Sequence, residues 1–228
     1  KEAGPTRSPR PPDMLAINRA HRMDAFEGLA RIDDEPVDLI VTDPPYNIAS
    51  PTKTTMQRGK IVSTLEAWGA WDVFHPFDYD VFIMRLLSES HRVLKPGGSL
   101  YLFTSRENNG YFVRQAQRRG FVYRNQLVMV KTSALPSLSK SNWRSAFEVC
   151  AYLSKDKPGT FNFAAQSEMV NVFSYPVRHK QTRHPTEKPL AFIRRLVEVS
   201  SKPGDLVVDP FMGSGTTAAA CVQTGRHF

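Results

Sequence analysis

The sequence predicts an α/β fold in which a doubly wound, mostly parallel sheet carries helices on both faces. Short apolar runs typical of buried strands alternate with longer stretches typical of helices, and this alternation favours parallel strands with helical connections. Two of the apolar runs end in the dipeptide Asp-Pro, at Asp43 and at Asp209. Ligands of such sheets bind beyond the carboxyl ends of the strands, so we expect the segment that begins at Asp43 to lie at the edge of a cleft.

The individual elements follow from hydrophobic periodicity and from stop signals. Strands are predicted at 37–42, 99–103, 122–131, 147–153 and 206–208, and helices at 78–94, 109–119, 189–200 and from 218 to before Gly225. The run Pro96-Gly97-Gly98 is expected to end the first of these helices. Residues 50–60 and 132–144 are predicted to be loops, and residues 154–184 a long irregular segment.

The length of 228 residues predicts a single domain over residues 14–228, behind a poorly ordered leader at residues 1–13 that is rich in Pro, Arg and Gly. A hydrophobic fraction of 41% suffices for a core. The net charge of +8 suits a polyanionic partner, although a merely basic domain is the alternative. No apolar stretch is long enough for a membrane span. The six histidines show no ligand spacing, so no metal site is predicted, and both cysteines are expected to be buried free thiols.

The tetrapeptide Asp43-Pro44-Pro45-Tyr46 follows the first apolar run. Two successive prolines make a stiff loop at the end of the strand. The Asp43 carboxylate and the Pro44 carbonyl could accept hydrogen bonds from an exocyclic base amine, which is a poor nucleophile until its lone pair is localised, and Tyr46 could stack on the base. The alternative is an ordinary strand-to-loop corner with a helix-capping Asp43.

The segment from Asp209 to Thr217 follows the last apolar run and leads into an alanine-rich helix. Gly213, Gly215 and Ala218 fit the spacing of nucleotide-type cofactor loops, where glycine permits the close approach of backbone to ligand. A tight strand-to-helix turn without a ligand is the alternative for this segment. No lysine follows the glycines, so the loop is not a P-loop.

Together the two motifs resemble those of the DNA amino-methyltransferases that use S-adenosylmethionine (SAM), and their order resembles the permuted, β-type group of that family. Three further segments match the family pattern: Asp24-Ala25, Arg92 to Gly98, and His184 to Pro189. The resemblance covers residues 14–228 and implies a Rossmann-like methyltransferase sheet. It also implies a later strand that ends in an acidic residue for the SAM ribose. Since the sequence ends before it, we expect either a piece of a longer protein or a different mode of ribose binding.

The resemblance assigns roles to residues of this chain. It implies a catalytic set of Asp43, Pro44, Pro45 and Tyr46, with SAM bound by Asp24, Ala25, His184, Thr186, Lys188, Asp209, Pro210, Phe211, Gly213, Ser214, Gly215, Thr216 and Thr217. Lys188 would pair with the SAM carboxylate, or else be a surface lysine. Asp24 would bond the adenosine amine, or else cap the following helix.

The implied substrate is adenine in double-stranded DNA, flipped out of the helix before reaction. Target-recognition loops are expected at about residues 50–75 and 132–183, with phosphate contacts from Lys53, Arg58, Lys60, Lys140, Arg144, Arg178, Lys180 and Arg183. Cytosine-N4 methylation is an alternative, although Asp43 is typical of the adenine group. A non-catalytic nucleic-acid-binding module is another. The sequence leaves open a homodimer and a cognate restriction enzyme as partners, in a cytoplasmic protein associated with the nucleoid.

Overall fold

The computed structural model describes residues 14–49, 53–57, 60–68, 72–134, 140, 143–176 and 187–228. Fourteen elements occur in these ranges. They are α1 (Ala25–Ala30), β1 (Val37–Thr42), β2 (Thr54–Gln57), β3 (Lys60–Ser63), α2 (Thr64–Trp68), α3 (Pro76–Val93), β4 (Leu94–Thr104), α4 (Asn109–Gln117), β5 (Phe121–Lys131), β6 (Phe147–Lys155), β7 (Val172–Tyr175), α5 (Leu190–Ser200), β8 (Val207–Val208) and α6 (Thr216–Thr224).

Six of the described strands form one sheet in the order β7-β5-β6-β4-β1-β8. β1 lies between β4 and β8 and is parallel to both, and β7 is parallel to β5. β6 is antiparallel to β4 and to β5, so it runs against the other five strands of this sheet. The mostly parallel sheet expected from the sequence is therefore confirmed.

Helices cover both faces of the sheet, as predicted. One face packs against α1, α3 and α4 through a core that includes Phe26, Ile83 and Phe112. The other face packs against α5 and α6 through a core that includes Phe192 and Cys221. The alternation of side chains along each strand serves both cores, which explains why β1 and β4 read as nearly continuous apolar runs. This two-sided burial gives a Rossmann-like α/β fold.

The predicted start of the strand at 99–103 is wrong. Pro96-Gly97-Gly98 does not separate helix from strand, because β4 already begins at Leu94 and runs through these residues. The pairing of β4 with β1 shifts register there, between Leu94 and Ser99, and Gly97 has a φ of 85°. The proline and glycines therefore make an irregular strand entry, which periodicity does not distinguish from a helix end.

Three strands lie where the sequence predicted loops or irregular chain. β2 and the first residue of β3 fall inside the predicted loop 50–60, and the two strands pair as an antiparallel hairpin. β7 falls inside the predicted irregular segment 154–184, where it adds an edge strand to β5. β7 has only four residues, which is too short a stretch for alternation to stand out from its surroundings. Cys150 and Cys221 are buried and unbridged, as expected.

No helix of the described residues is long and apolar enough to cross a membrane. The leader at residues 1–13 lies outside the described residues, as do parts of both predicted target-recognition loops.

Candidate active site

Two Asp-Pro corners meet at the carboxyl ends of neighbouring parallel strands. β1 pairs with β8 through Leu39 with Val207 and Ile40 with Val208. The hydroxyl of Thr42, the last residue of β1, donates to Asp209 Oδ1 at 3.2 Å. The corner that begins with Asp43 and the corner that begins with Asp209 are therefore joined directly, and a ligand bound at one lies beside the other.

The Asp43 carboxylate has a partner on each oxygen. The Tyr46 hydroxyl donates to Asp43 Oδ1 at 2.5 Å, and Lys188 Nζ donates to Asp43 Oδ2 at 2.5 Å. Burial, followed by the nearby Asp43 charge, raises the pKa of the Tyr46 hydroxyl well above its usual value. The tyrosine therefore stays protonated and acts as a donor, which fixes the orientation of the Asp43 side chain.

Lys188 lies in a pocket of carboxylates and aromatic rings. Its side chain is only 10% exposed. Besides its ion pair with Asp43, Nζ lies 3.1 Å from Glu148 Oε2. The same ammonium lies 4.9 Å from the centroid of the Phe103 ring and 5.8 Å from that of Tyr46. Burial by itself would lower the pKa of Lys188, but the two carboxylates outweigh it and raise that pKa. The lysine is therefore a fixed cation at the Asp43 corner.

Glu148 extends this charge network toward the surface. It is the second residue of β6, after Phe147, and it forms ion pairs with Lys188 and with Lys131 of β5. Burial would raise the pKa of Glu148, yet the two lysines bring it down to about 2. Lys131, Glu148, Lys188 and Asp43 thus form a chain of alternating charge that is neutral as a whole.

The two prolines and the residues after them are held by the start of α3. Pro44 and Pro45 are buried, and the Pro45 carbonyl accepts a hydrogen bond of 2.8 Å from the buried Tyr79 hydroxyl. The backbone N–H groups that follow, beginning with that of Tyr46, donate to the carboxylate of Asp72. The structure therefore places Pro44, Pro45 and Tyr46 in one rigid loop around Asp43.

Asp209 forms the inner support of the second corner. Its carboxylate accepts hydrogen bonds from the Thr217 hydroxyl at 2.7 Å, the Phe211 backbone N–H at 3.1 Å and the Thr42 hydroxyl. Burial raises its pKa from 3.8 to about 6, against the opposing effect of these three donors. In this geometry Asp209 ties β1, the glycine loop and α6 together.

The glycine loop has the backbone conformation that its sequence predicts. Gly213 and Gly215 have φ values of 48° and 79°, in the left-handed region that glycine adopts without strain. Gly215 is the N-cap of α6, and a Cβ at Gly215 would have no atom within 4 Å. The first-turn N–H groups of Thr216 and Thr217 therefore begin a helix beside open space, an arrangement that suits an anionic group.

Aromatic side chains connect the glycine loop to α1 and α3. Phe211 packs 5.7 Å from Phe82, which packs 5.4 Å from Phe26, with both distances between ring centroids. Asp24 is the N-cap of α1, and its Oδ1 accepts hydrogen bonds from the backbone N–H groups of Phe26 and Glu27. Ala25 is the first residue of that helix. The capping alternative for Asp24 is therefore realised, through one of its two carboxylate oxygens.

The remaining predicted site residues divide into described and undescribed ones. Lys53, Lys60, Lys140 and Arg144 are exposed. Lys60 begins β3, and Lys53 lies just before β2. Arg58, Arg178, Lys180, Arg183, His184 and Thr186 lie outside the described residues. The part of the chain that the structure describes contains no cluster of three His, Cys, Asp or Glu side chains suited to a metal ion.

Three residues of this site escaped the sequence analysis: Asp72, Tyr79 and Glu148. Each acts through a partner that is distant along the chain, and two of them bind backbone groups. An acidic residue early in a predicted strand, such as Glu148, was the one available signal, because a charge is unusual in a core strand.

The comparisons with known proteins agree with this architecture. The sequence model of the DNA methylase family matches residues 37–228. The type II methyltransferase M.HinfI of Haemophilus influenzae is 30% identical over 93% of this chain and 64% of its own length. The DNA adenine methyltransferase YhdJ of Escherichia coli K12 is 33% identical over 90% of this chain and 74% of its own length.

Solved structures share the fold. The crystal structure of the M1.HpyAVI–SAM complex superposes with a TM-score of 0.63 at 24% identity, over 89% of this chain and 87% of that one. The PvuII DNA methyltransferase, which is cytosine-N4-specific, superposes with a TM-score of 0.70 at 20% identity, over 90% of this chain and 77% of that one. The fold is therefore that of Rossmann-like methyltransferases. Since the family model covers most of the chain, this protein belongs to the DNA methylase family.

Proposed function

We propose that this protein transfers the methyl group of SAM to the exocyclic amine of adenine in double-stranded DNA. The observation that carries the proposal is the hydrogen bond from Thr42, the residue before Asp43, to Asp209, which joins the two corners directly. Membership of the DNA methylase family and the similarity to YhdJ, named as an adenine methyltransferase, support it.

Asp43 acts as an acceptor that aims the amine. An ionised carboxylate offers about four lone-pair sites, of which Tyr46 and Lys188 use one each. Asp43 therefore retains acceptor capacity for an amine hydrogen, and the Pro44 carbonyl accepts the other. The lone pair of the amine is then localised and directed away from the base. Little basicity is needed, since the nitrogen loses its proton most easily once it is methylated.

The residues present fit SAM at the second corner. SAM supplies an electrophilic methyl group, and the glycine loop with Gly213, Ser214 and Gly215 would hold its methionine part. The start of α6, at Thr216 and Thr217, would face its carboxylate. Phe211 would contact the cofactor, and Asp24 would offer its second carboxylate oxygen to the adenosine amine. Lys188 would reach the carboxylate of SAM from its place on Asp43.

The target base must leave the duplex to reach Asp43. Once flipped, it would stack on Tyr46, a contact worth about 1–3 kcal/mol. The exposed Lys53 lies just before β2, and the exposed Lys60 is the first residue of β3. Both would hold DNA phosphates, and such contacts position the duplex without reading its sequence. Cytosine-N4 transfer is the second candidate, because the cytosine-specific PvuII enzyme shares the fold.

The test uses purified protein, mixed-sequence duplex DNA and methyl-labelled SAM. The DNA is digested to nucleosides, and mass spectrometry identifies the labelled one. Label on the adenine amine supports the proposal. Label on the cytosine amine would show that cytosine, not adenine, is the substrate. Absence of label together with absence of SAM binding favours the non-catalytic module. The Asp43→Ala variant is the matched control for a contaminating activity.

Two further partners foreseen from the sequence stay predictions: a second copy of the chain and a cognate restriction enzyme. Sedimentation of the purified protein with and without duplex DNA tests the first of them.

A further inference from the structure

We propose that Asp72 is a positioning residue that holds the loop after the catalytic tetrapeptide in its working shape, an inference that rests on the proposed methyl transfer. Asp72 is only 3% exposed, and its carboxylate accepts hydrogen bonds from four consecutive backbone N–H groups. Those of Tyr46 and Asn47 donate to Oδ1 at 2.5 and 2.9 Å, and those of Ile48 and Ala49 donate to Oδ2 at 2.9 Å each.

This arrangement compensates the charge of Asp72 without a basic side chain. No salt bridge to Asp72 occurs among the described residues, so the four N–H dipoles carry the compensation. Successive N–H groups that converge on one point form a concave anion site, and here the anion is supplied from elsewhere in the same chain. A buried carboxylate with four donors is a strong restraint on the backbone that provides them.

The turn in this loop places a non-glycine residue in the left-handed region. Asn47 has a φ of 56°, a conformation that asparagine adopts more readily than most residues other than glycine. Its side chain also accepts a hydrogen bond of 2.8 Å from the backbone N–H of Phe74. The loop and the segment around Asp72 therefore hold one another from both sides, and Tyr46 leaves this turn in a fixed direction toward Asp43.

Asp72 also lies at the end of a long segment that leaves the catalytic loop and returns to it. The chain leaves the loop at Ala49, passes through the β2–β3 hairpin and α2, and returns at Asp72. A hairpin that carries Lys53 and Lys60 is thus tied to the residue that fixes Tyr46. Misplacement of a reacting group by about 1 Å can cost about 100-fold in rate, so loss of the restraint on Tyr46 should lower the rate of methyl transfer.

The first experiment compares the wild-type protein with Asp72→Asn. The amide keeps the shape of the side chain, but its NH2 group opposes two of the four N–H donors. We expect single-turnover methyl transfer to fall about 100-fold, while the affinities for SAM and for duplex DNA stay unchanged. Asp78→Asn, at an exposed acid in the first turn of α3, is the matched control and should behave as wild type.

Hydrogen exchange supplies a readout that does not depend on activity. The amides of Asn47, Ile48 and Ala49 should exchange at least about tenfold faster in Asp72→Asn, because each loses or weakens its bond to a charged acceptor. Unchanged protection would overturn the inference, as would unchanged transfer next to an active wild type or an equal loss of transfer and DNA affinity. Absence of transfer in the wild type would instead overturn the proposed function, and the exchange data would still decide whether Asp72 holds the loop.

Discussion

The two Asp-Pro corners begin alike and end in opposite electrostatic environments. Asp43 is bound by a buried ammonium and a phenolic hydroxyl, so its carboxylate is paired with a cation at the edge of the site. Asp209 is bound by two hydroxyls and one backbone N–H, and burial raises its pKa to about 6. The same dipeptide at the same end of neighbouring strands thus gives an ion-paired carboxylate in one case. In the other it gives a carboxylate that holds the glycine loop through hydrogen bonds.

The two corners show that the partners, more than the motif, decide the environment of a carboxylate. A cation, Lys188, compensates the charge of Asp43, whereas hydroxyl donors hold Asp209 in place with less compensation. Four sets of variants test this contrast.

Asp43→Ala should lower methyl transfer at least about 1,000-fold, because the amine loses the acceptor that localises its lone pair. SAM affinity should stay unchanged, since the glycine loop is held by Asp209. Single-turnover transfer and equilibrium SAM binding measure the two effects. Asp33→Ala, at an exposed acid that precedes β1 on the opposite edge of the sheet, is the control. Equal losses of transfer and SAM binding would contradict the role given to Asp43.

Lys188→Gln should lower the free energy of unfolding by about 3 kcal/mol, because it leaves two carboxylates near one another without their shared cation. The double variant Lys188→Gln/Glu148→Gln should recover part of this loss, since it removes one of them. Denaturant unfolding measures both. Lys95→Gln, which breaks the more exposed pair with Asp38, should cost no more than about 1 kcal/mol. If the change in the free energy of unfolding in the double variant equals the sum of the changes in the two single variants, Lys188 and Glu148 are not coupled.

Asp209→Asn should change the pH dependence of stability. The pKa of Asp209 in the folded protein is raised from 3.8 to about 6, so folding favours its protonated form. Its contribution is therefore fully present below pH 3.8 and is lost as the pH rises through about 6. Relative to the variant, the wild type should lose up to about 3 kcal/mol over this window. Urea unfolding across the window measures it, and parallel profiles would exclude the raised pKa.

Lys53→Ala and Lys60→Ala should give the smallest effects, because these side chains lie on the surface and contact neither corner. Each should weaken duplex binding at all sequences and reduce the slope of log affinity against log salt by about 1. Transfer at saturating DNA should not change. Lys157→Ala, at an exposed lysine beyond the opposite end of β6, is the matched control. A fall in the transfer rate itself would place the hairpin in the catalytic step.

Much of the fold and both corners could be foreseen from local patterns. β1 was predicted with its observed bounds, since an apolar run followed by two prolines has few other interpretations. The glycine loop was foreseen for the same kind of reason, because positive φ at Gly213 and Gly215 is a local property of the backbone. The helix predicted from residue 218 begins two residues earlier, at Thr216. β7 was missed, because an edge strand of four residues depends on pairing with β5 rather than on its own periodicity.

Local sequence patterns do not predict how the side chains of the site come together. Sequence order and residue type determined the motifs, their backbone shape and the edge of the sheet to which they belong. Which groups meet there depends on the tertiary structure: Lys188 lies 145 residues from Asp43 and 40 residues from Glu148 along the chain, yet its ammonium pairs with both carboxylates. Asp72 likewise binds the backbone of the catalytic loop although it is separated from Tyr46 by a long segment of the chain. Charge pairing and capture of N–H groups act through space, so residues remote in the chain become partners only once the sheet has formed.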